Sequence, residues 1–234
     1  MAAQSPVKTR QKQRCQIVGV IATSADLAMA VEMPEPPDIF ELRLDHLFPI
    51  QDELERKIAT LRAPLIATAR HPAEGGANTL AAARRRELLS RFLPHARYVD
   101  VELRSAESFH ALLTSLPHRN IARILSLHDF DSTPTPRSLH AKARLAKSLG
   151  AAIFKVATRT DTAVQLARLL EFISHDETDL AVSVMGVGQL GALSRVLLAG
   201  CGSTMAYATL ADRQVEGQLS VSQLQESFRI LGLR

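Results

Sequence analysis

The sequence predicts a closed (β/α)8 barrel, and three observations predict it. Eight short apolar, β-like runs alternate with amphipathic helical segments, which implies parallel strands joined by helical crossovers. No glycine-rich phosphate loop follows the first run: Val18-Gly19-Val20-Ile21-Ala22 holds one glycine, which argues against an open dinucleotide-binding sheet. No linker rich in Pro, Gly or Ser divides the 234 residues, 46% of them hydrophobic, so one core is expected over residues 15–234 behind a basic tail over residues 1–14.

In chain order, the strand-like runs are residues 16–21, 38–44, 64–70, 96–103, 120–128, 151–157, 180–187 and 204–210. Pro34-Glu35-Pro36-Pro37 makes the turn before the second. Helical periodicity covers residues 52–61, 80–93, 106–116, 137–149, 161–174 and 222–231. Gly150 supplies the stop for the segment 137–149, and Thr160 or Asp161 the cap for the segment that follows.

Charge and cysteine usage narrow the function classes. Four of the 28 basic residues, Lys8, Arg10, Lys12 and Arg14, lie in the first fourteen positions, so the remaining 24 balance the 24 acidic residues and the net charge of +4 belongs to the tail. Arg84, Arg85 and Arg86 fall in a helical segment whose polar face needs charges. With ten aromatic residues and no aromatic interleaving, nucleic-acid binding is not expected. Cys15 and Cys201 match no metal-ligand or disulfide framework, and every uncharged stretch is too short to span a bilayer. The expected protein is soluble and cytoplasmic, without membrane partners.

Lys155 is the most telling residue, because it interrupts the apolar run Ala151-Ala152-Ile153-Phe154-Lys155-Val156-Ala157. A lysine held out of water loses proton affinity, and a neutral amine is a nucleophile that forms a Schiff base with a carbonyl. A strand-end lysine that snorkels to solvent is the plainer alternative. A TIM-type barrel gathers its chemistry at the C-terminal strand ends, where the polar residues of this chain collect. Glu41, Arg43 and Asp45 share a face of the second strand or its exit, and Arg70 ends the third. Asp100 and Glu102 share a face of the fourth, and Ser126 and His128 a face of the fifth. His128 precedes Lys155 by about one βα repeat, which puts them on neighbouring strands roughly 5 Å apart, histidine as proton shuttle beside an imine lysine. Glu41 and Arg43 read as a possible internal salt bridge, Asp45 and Asp129 as caps, and His46, His71, His95, His110, His118, His140 and His175 as surface or loop residues.

Several motifs carry a resemblance. Phe40-Glu41-Leu42-Arg43-Leu44-Asp45, Ala69-Arg70 with Glu74-Gly75-Gly76, Val99-Asp100-Val101-Glu102-Leu103, Ser126-Leu127-His128-Asp129-Phe130, Phe154-Lys155-Val156-Ala157, Gly191-Ala192-Leu193-Ser194-Arg195, Gly202-Ser203 and Gly217-Gln218 resemble type I 3-dehydroquinate dehydratase in order and spacing. The resemblance implies dehydration of 3-dehydroquinate, a small anionic carbonyl substrate, to 3-dehydroshikimate in the shikimate pathway, through a lysine imine and with neither cofactor nor metal. It implies Lys155 as nucleophile, His128 as general acid and base, Glu74 as its orienting partner and Arg195 as the ligand of the substrate carboxylate. Glu41, Arg43, Arg70 and Gln218 would hold ring hydroxyls or the surrounding network. Gln214 and Glu216 stand where the family carries a lid serine and a proline. A homodimer is also implied. A class I aldolase-like imine enzyme and a non-catalytic metabolite-binding regulator on the same fold are the alternatives, and retention of both Lys155 and His128 argues against the second.

Overall fold

The computed structural model describes residues 14–175, 178–211 and 217–233, so the predicted basic tail lies outside them except for Arg14. The strands are β1 (Gln16–Ile21), β2 (Ile39–Arg43), β3 (Leu65–Thr68), β4 (Tyr98–Glu102), β5 (Ala122–Asp129), β6 (Ile153–Arg159), β7 (Ala181–Val187) and β8 (Met205–Thr209). All pair in parallel in one sheet, in the order β8, β1, β2, β3, β4, β5, β6, β7. Each predicted run coincides with a strand, and β5 and β6 extend one and two residues further.

Helices follow the strands: α1 (Ser24–Glu32), α2 (Leu44–Leu47), α3 (Gln51–Lys57), α4 (Ala82–Phe92), α5 (His110–Ser115), α6 (Pro136–Ser148), α7 (Ala163–Ser174), α8 (Gly191–Gly200) and α9 (Val221–Ile230). Gly150 ends the α6 region in the left-handed conformation at φ 77°, as a helix-stop glycine does. The cap of α7 is Thr162, not Thr160 or Asp161. Its side chain accepts from the Gln165 backbone while the Gln165 side chain accepts from the backbones of Asp161 and Thr162. Three helices, α1, the single turn α2 and α8, carried too little periodicity to be expected. α1 is held by a capping box between Thr23 and Asp26, and α8 begins and ends on glycine. No helix among the described residues is long and apolar enough to cross a membrane.

Side chains of a strand alternate between two surroundings. Phe40, Leu42, Phe154 and Val156 pack into the large cluster under the helices, whereas Val18, Ile39, Ile66, Ile124, Ile153 and Met205 form a separate cluster inside the barrel. Two residues further along four of those strands the inward positions become Glu41, Thr68, Ser126 and Lys155, all buried. The barrel therefore has an apolar floor and a polar upper interior, which is what positions the site.

The ring closes between β7 and β8 without a continuous ladder. One backbone bond, from Thr204 N to Val182 O at 2.8 Å, crosses the seam. Side chains complete it: Val184 N donates to Ser203 Oγ at 2.9 Å, and Ser183 Oγ donates to Met205 O at 2.9 Å. Ser203 is buried, so Ser203→Ala leaves the Val184 amide without its acceptor. We expect that substitution to lower unfolding free energy by about 1–3 kcal/mol, measured by urea denaturation.

Candidate active site

Lys155 sits in the middle of β6 with 3% of its surface exposed. Its Nζ donates to Glu41 Oε1 at 3.2 Å and to Asp100 Oδ2 at 3.0 Å, and lies 3.7 Å from the centre of the Tyr207 ring. Snorkelling does not occur. Nor is Lys155 stranded in an apolar run: carboxylates of β2 and β4 and an aromatic face of β8 surround its head.

Arg70, just beyond β3, is equally buried. It forms a bidentate pair with Asp100, Nη1 to Oδ1 at 3.1 Å and Nη2 to Oδ2 at 2.8 Å, and Nη1 also reaches Glu102 Oε1 at 3.3 Å and Ser126 Oγ at 2.6 Å. Burial raises the Asp100 carboxyl, but the cations of Arg70 and Lys155 overcome it and hold the group well below the usual carboxylate range. Burial disfavours the Arg70 charge, and Asp100 and Glu102 more than compensate, pushing its guanidinium up. Burial also raises the Tyr207 hydroxyl, with Glu41 and Asp100 adding to it.

His128 is on the strand next to Lys155, but the register corrects the expected side-by-side spacing. Ser126 lies opposite Lys155, and His128 lies opposite Ala157, one inward-facing step nearer the C-terminal end, or ~6–7 Å along the strand. Glu74, in the turn Pro72–Glu74, meets it there: Oε2 accepts from the His128 backbone N at 2.9 Å and lies 3.1 Å from Nδ1. Burial, reinforced by the charges of Arg70 and Lys155, holds the imidazole well below its ordinary value, so His128 is neutral near pH 7. Burial pushes the Glu74 carboxyl up to about 7.

Glu41 and Arg43 do not form the internal salt bridge that was one reading of the pair. Glu41 accepts from Thr68 Oγ1 at 2.9 Å and from Lys155, while Arg43 turns the other way and forms a fork with Asp45, at 3.1 and 2.8 Å, and with Gly75 O at 2.8 Å. Successive inward positions climb the barrel by one step, so residues two apart meet different neighbours. Asp45, fully buried, also accepts from the backbones of Arg70 and Ala77, which fixes the loop that carries Glu74.

Arg195, in α8, is separate from this cluster. Its Nε donates to Tyr207 O at 2.9 Å, and Nη1 donates to Gly186 O and Gly191 O, both at 2.9 Å, and to Gly217 O. No carboxylate of a described residue pairs with it, and burial lowers its guanidinium to about 10. Gly191 and Gly217 touch here; a Cβ on Gly191 would stand 2.6 Å from Gly217 O, so both positions need glycine. Gln218 is exposed beside them, and Gln214 lies outside the described residues. No three metal-ligating side chains converge among the described residues.

Sequence reasoning missed Tyr207, Thr68 and Arg85. It treated the three arginines of α4 as surface charges, yet Arg85 is 1% exposed. The signal was there: residues 85, 88, 89 and 92 share one helix face, and Leu88, Leu89 and Phe92 are buried. His140 is likewise buried, with its ring 5.0 Å from that of Phe172, rather than on the surface.

The chain matches the type I 3-dehydroquinase family over residues 16–234. It is 30% identical over 220 residues to the 3-dehydroquinate dehydratase of Methanocella arvoryzae, covering 94% of this chain and 98% of the relative. It is 29% identical over 226 residues to that of Thermodesulfovibrio yellowstonii, covering 95% and 98%. The crystal structure of the 3-dehydroquinate dehydratase from Geobacillus kaustophilus superposes with a TM-score of 0.83 at 26% identity, over 94% of this chain and 91% of that one.

A group whose folded pKa is raised favours the folded state most at low pH. Stability contributed at Glu74 is therefore fullest below about pH 4.5 and falls as the pH rises to about 7, where the penalty for the buried carboxylate levels off. Urea unfolding of Glu74→Gln and the unsubstituted protein across this range should show the variant gaining relative stability from pH 4.5 to 7 and holding a constant advantage above.

Proposed function

This chain belongs to the type I 3-dehydroquinase family, and its activity is the dehydration of 3-dehydroquinate, a carbon–oxygen hydro-lyase reaction; we propose that it acts through an imine on Lys155 with His128 as general acid and base. One observation carries the residue assignment: a buried primary amine, held by Glu41 and Asp100, lies on the strand next to a neutral histidine oriented by Glu74.

Lys155 Nζ, once deprotonated, adds to the substrate ketone, and the carbinolamine loses water to give a protonated imine. That cation draws electrons and acidifies the adjacent C–H bond. His128 removes the proton, and the resulting electron pair expels the hydroxyl one carbon further on, which leaves as water with the proton that His128 returns. Hydrolysis of the imine then frees 3-dehydroshikimate and the amine. The overall change is the loss of one water.

Arg195 binds the substrate carboxylate in this reading. A buried guanidinium held only by carbonyl oxygens has charge to offer an anion, and Tyr207 joins it to the Lys155 end, with its ring against Nζ and its carbonyl on Arg195. Arg70 and Glu41 hold the amine network, Arg43 holds the Glu74 loop through Gly75, and Gln214 and Gln218 bind substrate in the same reading. A cytoplasmic homodimer completes the proposal, carried by the family resemblance; Leu193 and Leu197, exposed one turn apart on α8, offer an apolar face for a second copy.

Borohydride added with 3-dehydroquinate should give a covalent adduct on Lys155, detected by peptide mass spectrometry. Lys155→Ala should lose adduct and turnover together, and His128→Ala should lower kcat by about 10²–10⁴. Ordinary turnover by Lys155→Ala would sink the imine assignment.

A further inference from the structure

Arg85 lies on α4, outside the barrel, and is buried to 1% exposure. A buried guanidinium costs more than an apolar side chain of the same volume unless its donors are matched, so its contacts need an account. Nε donates to Ala69 O at 2.7 Å, Nη2 to Glu102 Oε2, and Nη1 lies 3.4 Å from Ser105 Oγ, while the guanidinium carbon sits 4.9 Å from the centre of the Phe109 ring.

These contacts clamp the two peptide units beside Arg70. Ala69 O, immediately before Arg70, is held directly. His71 N, immediately after it, donates to Glu102 Oε1 at 2.8 Å, and Glu102 is fixed from behind by Arg85. The same Glu102 oxygen accepts from Arg70 Nη1 at 3.3 Å. From this segment the site branches: Arg70 leads to Asp100 and Lys155, and the turn after His71 leads to Glu74 and His128.

We propose that Arg85 is a positioning residue for the dehydration, holding through Ala69 and Glu102 the segment that aligns the Lys155 network with the Glu74–His128 pair. The proposal rests on the imine reading above. It touches neither substrate nor reacting atoms, and Arg195, the substrate carboxylate ligand, stands on α8. Loss of the clamp therefore lowers kcat and leaves KM nearly unchanged. Arg85 also supplies the third buried cation against Glu41, Asp100 and Glu102. Lysine at this position keeps that charge but cannot reach Ala69 O, Glu102 and Ser105 together.

The test compares the full chain with Arg85→Lys and Arg85→Met by steady-state kinetics with 3-dehydroquinate, counting active sites by borohydride trapping. We expect kcat per trapped site to fall roughly tenfold in Arg85→Lys and further in Arg85→Met, with KM within about threefold, because small displacements of aligned groups are costly. An unchanged kcat per trapped site in Arg85→Lys overturns the proposal, including the case in which trappable sites are lost, since that pattern marks a structural role only. If Arg85→Met does not fold, Arg85→Lys decides. Absence of any adduct in the unsubstituted protein overturns the imine reading, and this inference with it.

Discussion

A chain of alternating buried charge crosses the upper barrel, and the rest of the site depends on it. Arg85 pairs with Glu102, Glu102 with Arg70, Arg70 with Asp100, Asp100 with Lys155, and Lys155 with Glu41. Three cations meet three carboxylates. An unpaired charge in such an interior costs several kcal/mol, so the set is retained or lost as a whole. The amine of Lys155 is tolerated because β2 and β4 each bring a carboxylate to it. A protonated imine would carry the same charge at the same place, so these pairs need not rearrange when one forms.

The chain is possible because polarity changes along the barrel axis rather than around it. Ile39, Ile66, Ile124 and Ile153 close the floor, and the next inward positions on those strands are Glu41, Thr68, Ser126 and Lys155. One strand accordingly contributes to both the dry floor and the charged layer, two residues apart. Tyr207 serves both ends of that layer, its ring meeting Lys155 and its carbonyl meeting Arg195, which sets the span between the buried amine and the buried guanidinium.

Much of this was legible in the sequence. The strands stood out because each is a short apolar run between turn signals, and the polar residues of the site interrupt those runs or follow them. Lys155 and His128 were visible because charge or imidazole interrupts an apolar period. What stayed hidden depends on stagger between strands. The sequence puts Glu41 and Arg43 on one face, but which neighbour each meets follows from how far adjacent strands are offset, so Glu41 found Lys155 and Arg43 found Asp45. The same offset placed Ser126, rather than His128, opposite Lys155. Arg85 was concealed differently: it stands among three consecutive arginines, and only its spacing to Leu88, Leu89 and Phe92 separates it from two half-buried neighbours.

The Glu74–His128 contact determines which imidazole nitrogen is available. Glu74 Oε2 accepts from the backbone N–H of His128 and also faces Nδ1, whose part as donor or acceptor is set by the tautomer. An ionised Glu74 accepts the Nδ1 proton in a hydrogen bond, which leaves Nε2 as the unprotonated nitrogen, the arrangement that the proposed general-base role of His128 requires. A protonated Glu74 can itself donate to Nδ1, which reverses the tautomer and places the proton on Nε2. Because burial brings the Glu74 carboxyl up to about 7, this exchange lies within the neutral range. Burial holds His128 neutral on either side of it, so its tautomer is governed by Glu74 more than by a charge of its own.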